Sequence, residues 1–340
     1  MERFKKKNLW IVLLIGALIL IFFAFEVGVD EFISSISKVN KPLFLIVILF
    51  NFMNILAFTI TWRYLIPAKI GIYKLFTFFM AGTFINNITP TFGTGGEPVK
   101  AMLLGKETGT NKAECFAGVV SQRMLNMFPF LVIGGLGVGL LFSRSEVKLE
   151  TWQIIGLSFS ILLAFSLFGM IIYFYVKKDK LSSFVHSMIR FLAPFIGLVK
   201  KGFDQMAYVD AVERSINSFH GGLKNISHNR NGVLKATLLS FLGWAFDIMA
   251  IYAVFLSMGE PDIHISILII TYSLSMMSGW LPLFLPGGLG IVDVTMAGLF
   301  MFGGVSAETA MVAAWLYRLV NYWFNTVLGG FYLWLSLKPK

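Results

Sequence analysis

Thr89-Pro90-Thr91-Phe92-Gly93-Thr94-Gly95-Gly96-Glu97-Pro98 interrupts one apolar stretch, 73–105, and Pro282 with Pro286-Gly287-Gly288-Leu289-Gly290 interrupts another, 265–303. No regular helix continues through such runs, because proline lacks an N–H and clashes with the preceding turn, while clustered glycine favours turns. The surrounding sequence belongs in a bilayer: 57% of the 340 residues are hydrophobic, 14% are charged and 35 are Phe. Backbone freed at membrane depth must be buried in protein or line a wet cavity. Each broken stretch therefore reads as a re-entrant pair of half-helices that returns to the side it entered.

Outward from these breaks lie six uninterrupted apolar runs, at 9–25, 43–62, 113–142, 152–176, 233–257 and 307–336. A helix needs roughly 20 apolar residues to cross ~30 Å of hydrocarbon. The first run follows Arg3, Lys5, Lys6 and Lys7; it outlasts a signal-peptide core and ends without a small-residue cleavage site, so it reads as an uncleaved span. Lys and Arg number four before it, six between 63 and 112, ten between 177 and 235 and two at the tail, all on one side of the predicted topology. Lys38, Lys41, Arg144 and Lys148 fall on the other side. That bias predicts cytoplasmic termini, a multi-pass protein of the cell membrane, and an origin for the net charge of +10 that needs no nucleic acid.

The fold class predicted is an all-α polytopic membrane protein: an inverted repeat with six full spans and two re-entrant helix pairs. The first repeat covers 1–145 and the second 151–340. Ala113-Glu114 precedes Arg123-Met124-Leu125-Asn126, and Ala307-Glu308 precedes Arg318-Leu319-Val320-Asn321. Glu97 precedes Arg123 by 26 residues and Asp293 precedes Arg318 by 25, each acid lying just after its glycine-rich break. An insert at 177–232 carries Val209, Val212, Ile216, Phe219 and Leu223 at 3-4-3-4 spacing, one apolar stripe on a helix. It is expected on the cytoplasmic membrane face, either covering the core or recruiting anionic lipid.

Chemistry concentrates in few residues. Cys115 is the single cysteine, and the four histidines show no metal-ligand spacing, so no metal site is expected. Nor is any cofactor, since neither glycine-rich break matches a nucleotide-binding loop. Arg123 and Arg318 each cost about 2.5–3.5 kcal/mol near a helix centre, so each needs compensation. Glu97 and Asp293 are the predicted partners, with Glu114 and Glu308 as shallower candidates. Each arginine either pins its own break or grips an anionic headgroup, and five guanidinium donors allow both. Gly95, Gly96, Gly287 and Gly288 are expected to line the path, with Asn126 and Asn321 beside it. Half-helix amide ends, one of them near Glu97-Pro98, are expected to point at the anion. Asp247 is a candidate for ion coupling, with protonation or an arginine partner as alternatives. Asn51, Asn54, Asn86 and Asn87 read as amides bridging helices.

Phe92-Gly93-Thr94-Gly95-Gly96-Glu97-Pro98-Val99-Lys100, Gln122-Arg123, Leu285-Pro286-Gly287-Gly288-Leu289-Gly290-Ile291-Val292-Asp293 and Leu316-Tyr317-Arg318 resemble the lysylphosphatidylglycerol synthase transmembrane-domain family, flippase-like proteins also called UPF0104. The likeness spans almost the whole chain. The resemblance implies a lipid-handling role: the family includes the membrane half of the multiple peptide resistance factor, which moves aminoacylated phosphatidylglycerol between leaflets, and archaeal proteins tied to lipid-linked sugars. The sequence given ends at Lys340, just after the last span, so no aminoacyltransferase or other enzyme activity is expected.

Residues and resemblance together predict a flippase or scramblase for an anionic, phosphate-bearing lipid: a phospholipid, an aminoacyl-lipid or a polyprenyl-phosphate sugar. A separate lipid-modifying enzyme is a candidate partner. The competing classes are a membrane enzyme of lipid modification and a non-catalytic subunit of a lipid or glycan assembly pathway. The first would need an acid pair, a metal motif or a Ser-His-Asp set that the sequence does not display.

Overall fold

The computed structural model describes residues 37–89, 94–142, 176–187, 205–279 and 285–337, with a few isolated positions besides. The expected span 9–25, most of 152–176, residues 90–93 of the first break and Pro282 lie outside the described residues.

α1 (Lys41–Leu65) starts where the Asn40 side chain accepts the Leu43 amide at 3.2 Å, with Pro42 in the first turn. Its 25 residues reach about 37 Å at 1.5 Å each, enough to cross a bilayer. α2 (Ile72–Ile88) and α3 (Gly96–Thr108) flank the first break and pack against each other, so the chain doubles back there. Gly96 permits the approach, since a Cβ on it would run into the carbonyl of Gly82 on α2. α4 (Lys112–Phe142) is long and apolar. α5 (Gln205–His228) lays its apolar stripe on α4, burying Ile216 and Leu223. α6 (Arg230–Ser257) is a third helix of spanning length.

The second break repeats the first in outline. α7 (Ile265–Ser278) and α8 (Ile291–Phe302) pack together around a single 3-10 turn, Pro286–Gly288. Gly287 there has φ +55°, and a Cβ on it would strike the Tyr322 ring, so this site accepts only glycine without strain. α9 (Ala307–Arg318), a π segment (Leu319–Phe324) and α10 (Asn325–Leu337) then run on without interruption. Every element among the described residues is helical.

The helix contacts are reciprocal. α1 packs along α6 antiparallel, with the Asn40 amide donating to the Ser257 carbonyl at one end. α2 packs on α10 and α7 on α4; α3 packs on α4 and α8 on α9; α1 touches α4 and α6 touches α9. Apolar stripes face outward at Leu45, Leu49 and Phe52 of α1, Leu234, Leu238 and Leu242 of α6, and Val327, Phe331 and Trp334 of α10. Exposed stripes of this kind suit lipid as solvent. The protein is an all-helical membrane protein.

Candidate functional site

Where the end of α2 and the second break meet the long helices, a cavity of ≈ 280 Å³ opens. Arg123 and Arg318 both line it, with Asn86, Asn87, Asn126 and Asn321 around them and Trp244 and Tyr322 in the wall. The two halves of the chain therefore deliver their arginines to one place.

The first-half arginine belongs to a three-residue charge cluster. Glu97, in the opening turn of α3, accepts from Arg123 Nη1 at 2.9 Å, and Lys100 Nζ stands 3.8 Å from the same oxygen. Glu97 and Lys100 are an i,i+3 pair on one helix face. The Lys100 side chain is 5% exposed, its ammonium 4.4 Å above the Phe79 ring. Its stem occupies the space that a side chain on Gly82 would fill. The second carboxylate oxygen of Glu97 is buried and has no hydrogen-bond partner among the described residues. Arg123 is the open member, its side chain 29% exposed.

The second-half arginine is held by three groups. Arg318 Nε donates to Asp293 Oδ1 at 3.1 Å, Nη2 to the Gly287 carbonyl at 3.3 Å, and the guanidinium lies 4.6 Å over the Tyr322 ring. Asp293 Oδ2 meanwhile accepts the Gly290 amide at 2.9 Å, capping α8. One carboxylate thus fixes both the helix start and the arginine, and both side chains are 5% exposed.

Asparagines tie these parts together. Asn86 Oδ1 accepts the Gly96 amide at 2.6 Å, bridging α2 and α3. Asn87 donates to Thr326 Oγ1 at 2.8 Å, while its carbonyl accepts the Tyr322 hydroxyl at 2.8 Å. Asn126 accepts from Ser240 at 2.8 Å, and its carbonyl accepts Trp244 Nε1 at 2.6 Å. Asn51 and Asn325 exchange amide hydrogen bonds at 2.9 and 3.0 Å.

Residues 9–329 match the family model described as the lysylphosphatidylglycerol synthase TM region. The chain belongs to that family. A UPF0104 membrane protein of Methanothermobacter thermautotrophicus is 27% identical over 327 residues, 94% of this chain and 93% of that one. A UPF0104 membrane protein of Pyrococcus horikoshii is 25% identical over 328 residues, covering 94% and 95%. One of Methanocaldococcus jannaschii is 25% identical over 339 residues, covering 97% and 95%. No solved structure matches.

For this family member, the acid-to-arginine pairs lie where the spacing placed them. Glu114 and Glu308 do not serve: they sit in the first turns of α4 and α9, about 14–15 Å along the helix from Arg123 and Arg318. Gly287, Asn126 and Asn321 line the cavity, whereas Gly95, Gly96, Gly288, Glu97 and Asp293 stand outside its lining. Asp293 reaches the cavity through Arg318, and Glu97 through Arg123 and through the Asn86 amide, 3.5 Å from its Oε1. The expected amide cradle is occupied from within, since the Gly96 and Gly290 amides already donate to Asn86 and Asp293.

Among the described residues Asp247 has no arginine partner. Its carboxylate accepts from Tyr272 at 2.6 Å, Asn54 at 2.9 Å and Tyr317 at 3.4 Å. Tyr272 and Tyr317 read in sequence as ordinary apolar-helix aromatics, and the rule that a buried acid collects donors was the signal available for them. Lys100 falls by sequence among the cytoplasmic loop cations, yet the structure buries it.

Proposed function

We propose that this protein moves lipids with a phosphate-bearing anionic headgroup between membrane leaflets, as a flippase or scramblase. One observation carries the reading: two arginines from opposite halves of an apolar helical protein share a single cavity. Its ≈ 280 Å³ falls just under the ~300–1,000 Å³ typical of small-molecule pockets, which suits a headgroup whose acyl chains stay in the bilayer. Guanidinium forks match phosphate oxygens, and an amide-rich wall replaces water for the polar headgroup.

The reciprocal helix contacts support an inverted repeat, and the Lys/Arg bias of the loops supports cytoplasmic termini, so that the hairpins α2–α3 and α7–α8 would open from opposite faces of the cell membrane. A separate lipid-modifying enzyme would supply the lipid, and no catalytic step is assigned to this chain. Arg123 takes the phosphate, and Arg318, already held on three sides, shapes the far wall.

Reconstitution into phosphatidylcholine vesicles with a trace of labelled phosphatidylglycerol on either leaflet tests the proposal. Arg123→Lys keeps the charge but loses the fork, so it should fold and translocate the label far more slowly. Translocation at the parent rate by a folded Arg123→Lys protein excludes fork-type phosphate binding.

A further inference from the structure

Buried lysine beside a buried carboxylate that already has an arginine is more cation than the pair needs. Arg123 alone would neutralise Glu97, yet Lys100 is kept 3.8 Å from the same oxygen with its side chain 5% exposed. That separation is an ion pair and longer than a hydrogen bond. The other Glu97 oxygen is buried and unbonded among the described residues. Among the described residues the second half has no counterpart: Asp293 meets Arg318 and a helix amide, and the charges cancel one to one.

We propose that Lys100 is the counter-ion that lets Arg123 change partners. In the resting arrangement Glu97 holds Arg123. When a headgroup phosphate enters, Arg123 turns to it, and Lys100 closes on Glu97, whose open oxygen receives the ammonium. Without Lys100, the same turn would leave a carboxylate buried and unpaired. The cluster's formal charge of +1 then fits one monoanionic phosphodiester, which it neutralises, better than a phosphomonoester carrying a second charge. Lys100 is accordingly a positioning residue, absent from the cavity lining and acting through Glu97.

This rests on the lipid-binding reading of Arg123, and the test separates the two. Phosphatidylglycerol is titrated into the full chain in detergent, with soluble glycerophosphoglycerol, a monoanionic phosphodiester, and phosphatidic acid as parallel arms. The variants are Lys100→Met, Glu97→Gln, their double and Arg123→Ala. Lys100→Met should weaken phosphatidylglycerol binding about tenfold or more, the order of a stranded buried charge. Adding Glu97→Gln should restore it, because no carboxylate is left to strand. A structural lysine would show no such rescue.

Should Lys100→Met alone not fold, Glu97→Gln and the double should bind within about twofold of each other, as uncoupled sites do. A Lys100→Met loss that persists in the Glu97→Gln background overturns the exchange. So does preference for phosphatidic acid over phosphatidylglycerol. Binding of glycerophosphoglycerol as tight as of the lipid would assign the site to free phosphodiesters, with the exchange intact. Undiminished lipid binding by Arg123→Ala refutes the site reading itself, whatever Lys100 does.

Discussion

Replacing Arg318 by alanine removes three contacts at once: the 3.1 Å bond to Asp293, the 3.3 Å bond to the Gly287 carbonyl and the ring contact with Tyr322. Among the described residues Asp293 would then keep only the Gly290 amide as donor, and it is buried. Breaking a buried pair this way costs about 3–5 kcal/mol, much of it the penalty on the orphaned charge. Asp293→Asn in the same background removes that charge and leaves an amide oxygen to cap α8. The double variant should therefore be more stable than Arg318→Ala alone, by about 1–3 kcal/mol, the usual cost of an unsatisfied buried polar group. Denaturant unfolding in mixed micelles, followed by tryptophan fluorescence, measures the cycle, with Trp315 and Trp323 close in sequence as reporters. If the double loses as much as the two singles summed, the pair carries no coupling, and Arg318 does not anchor the second break through Asp293.

Gly287→Ala should cost at least about 1–2 kcal/mol, through its left-handed backbone and the clash with Tyr322, whereas exposed Gly298→Ala on α8 should be neutral or stabilising by up to about 1 kcal/mol. Thermal melts of both in detergent check the contrast. Tyr272→Phe, which deletes the 2.6 Å donor to Asp247, should destabilise by about 1.5–3 kcal/mol, and Tyr317→Phe, at 3.4 Å, by less; the reverse order in the same melts would contradict the network. In a Cys115→Ser background, cysteines at Lys69 and Lys106 should label from the cytoplasm, and those at Glu260 and Glu308 from outside. Labelling of either pair from opposite faces means that its hairpin crosses completely.

The sequence disclosed the helix breaks and the acid-to-arginine pairs because the bilayer leaves little choice. A proline-glycine run cannot stay helical, and an arginine in hydrocarbon requires a partner. Lys100 escaped because lysine near a glycine-rich break resembles a loop cation. Its i,i+3 relation to Glu97 was visible, but the missing side chain at Gly82 that makes room for it depends on how α2 meets α3. Tyr272 and Tyr317 were hidden for a related reason, since a phenol in an apolar helix looks hydrophobic until an acid from another helix is seen beside it. The lining was harder still: of the glycines expected at the wall Gly287 stands in it, while Gly96 closes the approach of α2 to α3 instead.

The π segment between Arg318 and Asn325 holds slightly more chain per turn than the α-helices on either side. It is a dislocation in an otherwise regular lattice of hydrogen bonds, and dislocations glide. Displacing it by one residue would turn the intervening stretch by about 100° and advance it by about 1.5 Å, without breaking the helix as a whole. Tyr322 lies inside the defect, with its ring under the Arg318 guanidinium and its hydroxyl on the Asn87 carbonyl of the other half. A glide would therefore slip the arginine's floor and the clasp between the halves in one stroke, like a cam that lifts two followers on a single shaft.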